Sequence, residues 1–202
     1  MQGKIRPRPI GDQMKPITLD IETSGLDPIT EMIIAIGYRV GNSKTKVIFS
    51  EKPETEKETI KQFINLIKEQ NPEKTVLVTF RGKNFDIPFL ILRAIKYDID
   101  PTPLLALKHV DIHEILKSFT GKSVSLDAIR EFIGSWRKTK YTGRSVPALY
   151  RDYLKTGDET FKKKIVKHLV DDVNTTYKMY LKISKILNFI FSEKDKNINL
   201  KI

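Results

Sequence analysis

Lys15-Pro16-Ile17-Thr18-Leu19-Asp20-Ile21-Glu22-Thr23 alternates in the manner of a half-buried strand, with Ile17, Leu19 and Ile21 on one face and Thr18, Asp20 and Glu22 on the other. Turn chemistry follows at Gly25–Pro28 and again at Gly41–Ser43, and between and beyond these lie two β-branched runs, Met32–Val40 and Thr45–Ser50. The chain therefore opens as a three-stranded antiparallel meander whose first strand carries two carboxylates on one side. Such a pair has Cβ atoms roughly 7 Å apart, within reach of one metal site. A strand end running into solvent would tolerate the same pair.

Further along, Thr55–Gln70 places Ile60, Phe63, Ile64 and Ile67 at helical spacing. Val76–Phe80 reads as a short buried strand, and Asp86–Tyr97 as a helix with Pro88 in its first turn. Leu107–Ile112 is a candidate fifth strand, and Ser125–Ile133, Pro147–Leu154 and Thr160–Leu187 read as helices. This order predicts an α/β domain, a mixed five-stranded sheet of three antiparallel strands followed by parallel ones, flanked by helices. Residues 1–14, with Pro7, Pro9 and Gly11, read as a flexible arm, 15–191 as one domain and 192–202 as a tail.

Composition narrows the partners. Lys and Arg total 36 against 25 Asp and Glu, a formal net charge of +11, which suits a polyanionic partner and equally a lysine-solubilised surface. There are no cysteines, so disulfides and thiolate metal sites are excluded. The apolar runs Met32–Ile36 and Phe89–Leu92 are too short to span a bilayer and no secretory signal pattern opens the chain, so the expectation is a cytoplasmic protein with no membrane partner.

Two more acidic positions stand out. Asp86 follows the segment Thr79-Phe80-Arg81-Gly82-Lys83-Asn84-Phe85, a strand end and glycine loop where α/β sheets gather functional groups, although an aspartate before Ile87-Pro88 is also a good helix N-cap. In His168-Leu169-Val170-Asp171-Asp172, His168 and Asp172 share a helix face. On a wheel with Ile165 at zero, Val166, Leu169, Val170, Val173, Tyr177 and Leu181 form the apolar arc. Asp172 lies at its margin near about −20°, His168 about 40° further out, and Asp171 near about −120° among Lys164, Lys167 and Lys178. The wheel selects Asp172 as the carboxylate facing the sheet and leaves Asp171 to a solvated ion pair.

In this order Asp20-Ile21-Glu22-Thr23, Asn84-Phe85-Asp86 with Pro88-Phe89-Leu90, and His168 with Asp172 resemble the three exonuclease motifs of the DnaQ-like (DEDD) 3′→5′ exonuclease superfamily, with a ribonuclease-H-like fold. The likeness is greatest to the proofreading domain of B-family DNA polymerases and to stand-alone YprB-type exonucleases, and it extends from Thr18 to Leu181. Val110-Asp111 and Ser125-Leu126-Asp127 are similar to the family's intervening segments. Two positions depart from its pattern. Arg81 stands where polymerases often carry asparagine, and His168 stands at the tyrosine position of the three-residue spacing, as in the YprB-like group.

The resemblance implies a free-standing 3′→5′ exonuclease acting on nucleic acid, single-stranded DNA above all, with a place in DNA repair. Asp20, Glu22, Asp86 and Asp172 would hold two Mg²⁺ or Mn²⁺ ions about 3.5–4 Å apart, Asp20 bridging them. His168 would orient or deprotonate the attacking water. The stretch 135–144 interleaves cations and aromatics as single-strand binders do, which makes Trp136, Arg137, Lys138, Lys140, Tyr141 and Arg144 candidate substrate contacts. An RNA-trimming or structure-specific nuclease on the same fold, or a non-catalytic nucleic-acid-binding module, would share the basic surface. Oligomeric state leaves no mark on the sequence.

Overall fold

In a computed structural model, which describes residues 14–135 and 142–194, the meander forms as β1 (Lys15–Thr23), β2 (Ile33–Val40) and β3 (Lys46–Phe49). Helix α1 (Glu56–Lys68) leads to β4 (Thr75–Thr79), α2 (Asp86–Lys96), α3 (Thr102–Ala106) and β5 (Lys108–Asp111). The remainder is helical: α4 (Ile112–Thr120), α5 (Leu126–Phe132), α6 (Val146–Thr156) and α7 (Glu159–Lys194). The sheet order is β3-β2-β1-β4-β5, antiparallel from β3 to β1 and parallel from β1 to β5. The expected mixed five-stranded sheet is therefore present, with β1 at its centre.

Each face of the sheet is buried by a different set of helices. Ile17, Leu19 and Ile21 pack with Ile60, Phe63 and Ile67 of α1 and Phe89 and Leu90 of α2. On the opposite face Val76, Val78 and Val110 meet Ile129 of α5 and Met179, Tyr180 and Ile183 of α7, while Ile34 and Ala35 meet Val146, Leu149 and Tyr150 of α6 and Ile165, Leu169 and Val173 of α7. Asp20 and Glu22, alternating with the Ile17–Ile21 row, are thereby presented to α7. Among the described residues no helix is long and apolar enough to cross a membrane.

Two helices were not legible beforehand. α3 is a five-residue turn of helix, too short to show a period. α4 does carry its signals: Asp111 caps it by accepting from the His113 amide at 3.0 Å, Ile112 and Leu116 are buried at helical spacing, and Gly121 closes it at φ 69°. Reading Leu107–Ile112 as strand hid that start. The wheel for α7 also needs correction, since Leu181 is half exposed whereas Met179, Tyr180 and Ile183 are buried. The first half of α7 rests on β1 and β2 under α6 and the second half on β4, α4 and α5, so one fixed stripe cannot describe both.

A buried ion pair braces the other side of the sheet. Arg93 of α2 donates to Glu56 of α1 through Nε and Nη2 at 2.8 and 2.6 Å, and the same carboxylate accepts from Tyr97 Oη at 2.7 Å and from the Ile33 amide at 2.8 Å. Four groups satisfy the charges, which a lone buried carboxylate could not achieve.

α7 approaches the sheet closely at Gly37, which pairs with Asp20 across β1 and β2. A Cβ at Gly37 would stand 2.6 Å from Leu169 Cγ, so only glycine lets α7 sit this low. Gly37→Ala should therefore cost about 1–3 kcal/mol of unfolding free energy by overpacking. Urea denaturation checks this, and in a Leu169→Ala background the same substitution should cost measurably less.

Candidate active site

The carboxylates gather because three elements meet near the end of the central strand: β1 ends there, α2 begins there and α7 passes across it. β1 outruns β4, whose register with it stops at Thr18 against Val78. That leaves the Ile21 amide without a strand partner, and Asp86 Oδ1 accepts from it at 3.0 Å. The helix N-cap position itself belongs to Phe85, so Asp86 is not the cap that its place before Ile87-Pro88 suggests. Its side chain instead ties the start of α2 to β1, beside Asp20 and Glu22.

The loop that delivers Asp86 is tightly specified. Arg81 has φ 66°, and a Cβ on Gly82 would lie 2.5 Å from that of Thr79. Asparagine tolerates the left-handed region better than arginine, which gives a backbone reason for the residue many polymerases carry there. Here Asp111 holds the strained turn, accepting from the Arg81 and Lys83 amides at 2.9 Å each while also capping α4. The Arg81 guanidinium leaves the loop to donate to Ser123 Oγ at 2.7 Å. Asp111 was noticed only as part of a family segment. Its double duty is invisible until β5 is placed beside β4.

α7 supplies the other side. Asp172 lines an open cleft of about 730 Å³ together with Asp20, Glu22, Asp86 and His168, whereas Asp171 lines a different pocket. His168 is not on an exposed margin: it is 3% exposed, with Nε2 3.5 Å from Glu22 Oε1 and Nδ1 3.8 Å from Asp172 Oδ1. The wheel placed it outside the apolar arc because the wheel registers only the sheet. The turn at Gly143–Ser145, which leads into α6, covers that flank, and a Cβ on Gly143 would come within 3.9 Å of His168 Nε2. Arg144 is exposed and lines the cleft. Trp136, Arg137, Lys138, Lys140 and Tyr141 lie outside the described residues, as do the arm before residue 14 and most of the tail.

Sequence reasoning assigned no site role to Leu26 and Asp127 at the cleft, or to Arg130 beside it. Leu26 is 84% exposed at the cleft. Asp127, also at the cleft, holds Arg130 at 2.6 Å, and Arg130 pairs in turn with Asp172. The Ser125 N-cap marked α5, but nothing in a short amphipathic segment signals that its single arginine reaches another helix.

Electrostatics show how closely the acids converge. Burial pushes the Asp20 carboxyl well above the usual carboxylate range; Asp86, Asp172 and Glu22 each push it further, and Arg130 alone opposes them. Burial and the Asp111 charge raise Asp86 to about 7, against the hydrogen bond from Ile21. Among the described residues no three acids or histidines are closed around a common point ready to hold a metal ion. The donor set nevertheless fits one by its chemistry: carboxylate oxygens only, in excess of the cations facing them, are what hard divalent ions bind.

The sequence comparison decides the family. A profile of the RNase_H superfamily matches residues 17–184. The chain belongs to the RNase_H superfamily. Within it, the chain is 29% identical over 173 residues to an uncharacterised protein of Methanocaldococcus jannaschii, covering 80% of this chain and 91% of that one. It is also 25% identical over 146 residues to a DNA polymerase of Thermococcus litoralis, covering 61% of this chain and 8% of the polymerase. In fold it is similar to the family B DNA polymerase of Pyrobaculum calidifontis, at a TM-score of 0.75 and 19% identity over 89% of this chain and 26% of that one. It is similar also to exonuclease I in a product-bound structure, at 0.58 and 10% identity over 90% of this chain and 46% of that one. The chain thus spans a small part of each polymerase and under half of exonuclease I. Superfamily and fold together support a nuclease.

Asp86 binds its proton more tightly in the folded chain than in the unfolded one, where the ordinary value is 3.8. The stability it contributes is therefore complete below about pH 4 and is lost as pH rises through about 7. Asp20, raised for the same reasons, acts in the same direction. In chelator-treated protein the thermal midpoint should fall between about pH 5 and about pH 8. Asp86→Asn should flatten that slope, and an unchanged slope in the variant would contradict the assignment.

Proposed function

We propose that the chain is a metal-dependent 3′→5′ exonuclease that removes nucleotides from the 3′ end of single-stranded DNA. The observation that carries this reading is the cleft in which Asp20 faces Asp86, Asp172 and Glu22 at once. Such a cluster is costly to fold and is explained if divalent cations neutralise it.

Asp20, Glu22, Asp86 and Asp172 would hold two Mg²⁺ or Mn²⁺ ions, which when bound supply an activated water and neutralise charge on the leaving 3′ oxygen. Everything else falls to the chain's own groups. His168, fixed between Glu22 and Asp172, orients the attacking water and takes its proton. Arg144, exposed on the cleft wall, meets a backbone phosphate, and Leu26 with Phe85 offers apolar surface to an unstacked base. The net charge of +11 favours capture of a polyanion without neutralising the acidic site itself. The Trp136–Tyr141 stretch would extend this contact, and DNA repair in the cytoplasm is the setting the reading suggests.

A 5′-labelled oligonucleotide incubated with Mg²⁺, Mn²⁺ or EDTA, as DNA and as RNA, tests the reading. The expected result is a ladder of shortened DNA with either metal, none with EDTA, and no cutting of a circular strand. RNA degraded in preference to DNA would point to RNA trimming on the same fold. Asp20→Ala and Asp172→Ala should each lower the rate by more than about 100-fold with the fold retained by circular dichroism. Asp171→Ala should keep most of the activity, and full activity in Asp172→Ala would end the metal reading. His168→Ala should slow turnover and displace its pH profile, and a rate equal to wild type would remove its role.

A further inference from the structure

Arg130 is the one buried cation that touches the acidic cluster among the described residues. It lies on α5 and is 3% exposed, and its Nη1 is held by Asp127 Oδ1 at 2.6 Å while its Nη2 pairs with Asp172 Oδ1. Its charge reaches further than that contact, since it alone offsets the three carboxylates that burden Asp20. A guanidinium cannot relieve the cluster by giving up its proton, so its charge is permanent. Asp127, 61% exposed, is an outer anchor on the same helix, and Arg130 also lines a second pocket of about 290 Å³. The side chain thus has one fixed tether, one contact on a carboxylate of the cluster, and space to withdraw.

We propose that Arg130 is the resident counter-ion of the metal-free site: it holds Asp172 in place of a divalent cation and gives that carboxylate up when the cation binds. The proposal rests on the four carboxylates being a metal site. A divalent ion and a guanidinium drawn to the same Asp172 repel each other, so each weakens the hold of the other, and the coupling is reciprocal. Arg130 is a positioning residue in this scheme. It sets how Asp172 is held between loadings and how tightly metal must bind to claim it.

The test is calorimetric titration of Mn²⁺ into chelator-treated full-length chain, with thermal melts of the same samples and no nucleic acid present. Arg130→Gln should bind Mn²⁺ more tightly by on the order of tenfold and should melt lower than wild type without metal. Arg130→Lys keeps the charge and should stay close to wild type in affinity. Unchanged or weaker binding in Arg130→Gln overturns the proposal, as does equal tightening in both variants, which would show that charge is not the cause. Should Arg130→Gln fail to fold, the ¹⁵Nε resonance of Arg130, assigned by its loss in Arg130→Lys, gives the same answer in the wild-type chain. It should move in step with Mg²⁺ binding, and a signal that stays still overturns the proposal. Asp20→Asn separates the two levels of inference: wild-type Mn²⁺ uptake that survives this change undiminished refutes the carboxylate site, and the counter-ion role with it.

Discussion

The repulsion among Asp20, Glu22, Asp86 and Asp172 is the constraint around which the molecule is organised. Charges taken out of water must be matched, and among the described residues the Arg130 guanidinium and the His168 imidazole face this group of four. The rest of the structure keeps the group from dispersing. A central strand with both faces covered fixes Asp20 and Glu22; Asp86 is tied to that strand by the Ile21 amide; and α7 is brought down onto the sheet at a glycine. The Ile21 amide offsets part of the cost at Asp86, and all of these devices hold the group together. Burial and mutual repulsion make it costly to keep four carboxylates together, which is why the cluster is better read as a site than as an accident of folding.

How much of this the sequence carried depended on whether each feature is local. Alternation in Lys15–Thr23 gave β1 to the residue and put Asp20 and Glu22 on one face, because a period of two is set by the strand's own geometry. The wheel on α7 separated Asp172 from Asp171 for the same reason: 100° per residue holds whatever the helix packs on. It misplaced His168 and Leu181 because burial depends on neighbours. The turn at Gly143–Ser145 closes over His168, and α7 changes partners halfway along its length. Asp111 and Arg130 were out of reach for a stronger reason. Their partners lie 28 to 42 residues away in sequence, so no window of sequence contains the bond that defines them.

The buried polar groups divide into two kinds that look alike in a count of buried charges. Glu56 and Arg93 satisfy each other completely, with Tyr97 and the Ile33 amide taking the remaining oxygen positions, and the unit behaves as a rivet between α1, α2 and β2. It opens onto nothing. The cluster at Asp20 faces a cleft and its burial and mutual repulsion push carboxyl groups upward rather than down, although the Ile21 amide and Arg130 each contact one member. Saturation and access to solvent separate structural from functional burial here, and burial alone does not.

The electrostatics of the exterior and of the cleft have opposite signs, and both are needed. A polyanion is drawn to a chain of net charge +11 at long range, where only the sum of charges is felt. If the chain acts on nucleic acid as proposed, a strand end within a Debye length would meet four carboxylates, and cations held by them would remove that repulsion. Arg130 bridges the two regimes by lending one positive charge to the cleft between loadings, and Asp127 keeps that charge from leaving the wall. On the proposed reading, this charge pattern would make productive capture of the strand conditional on metal.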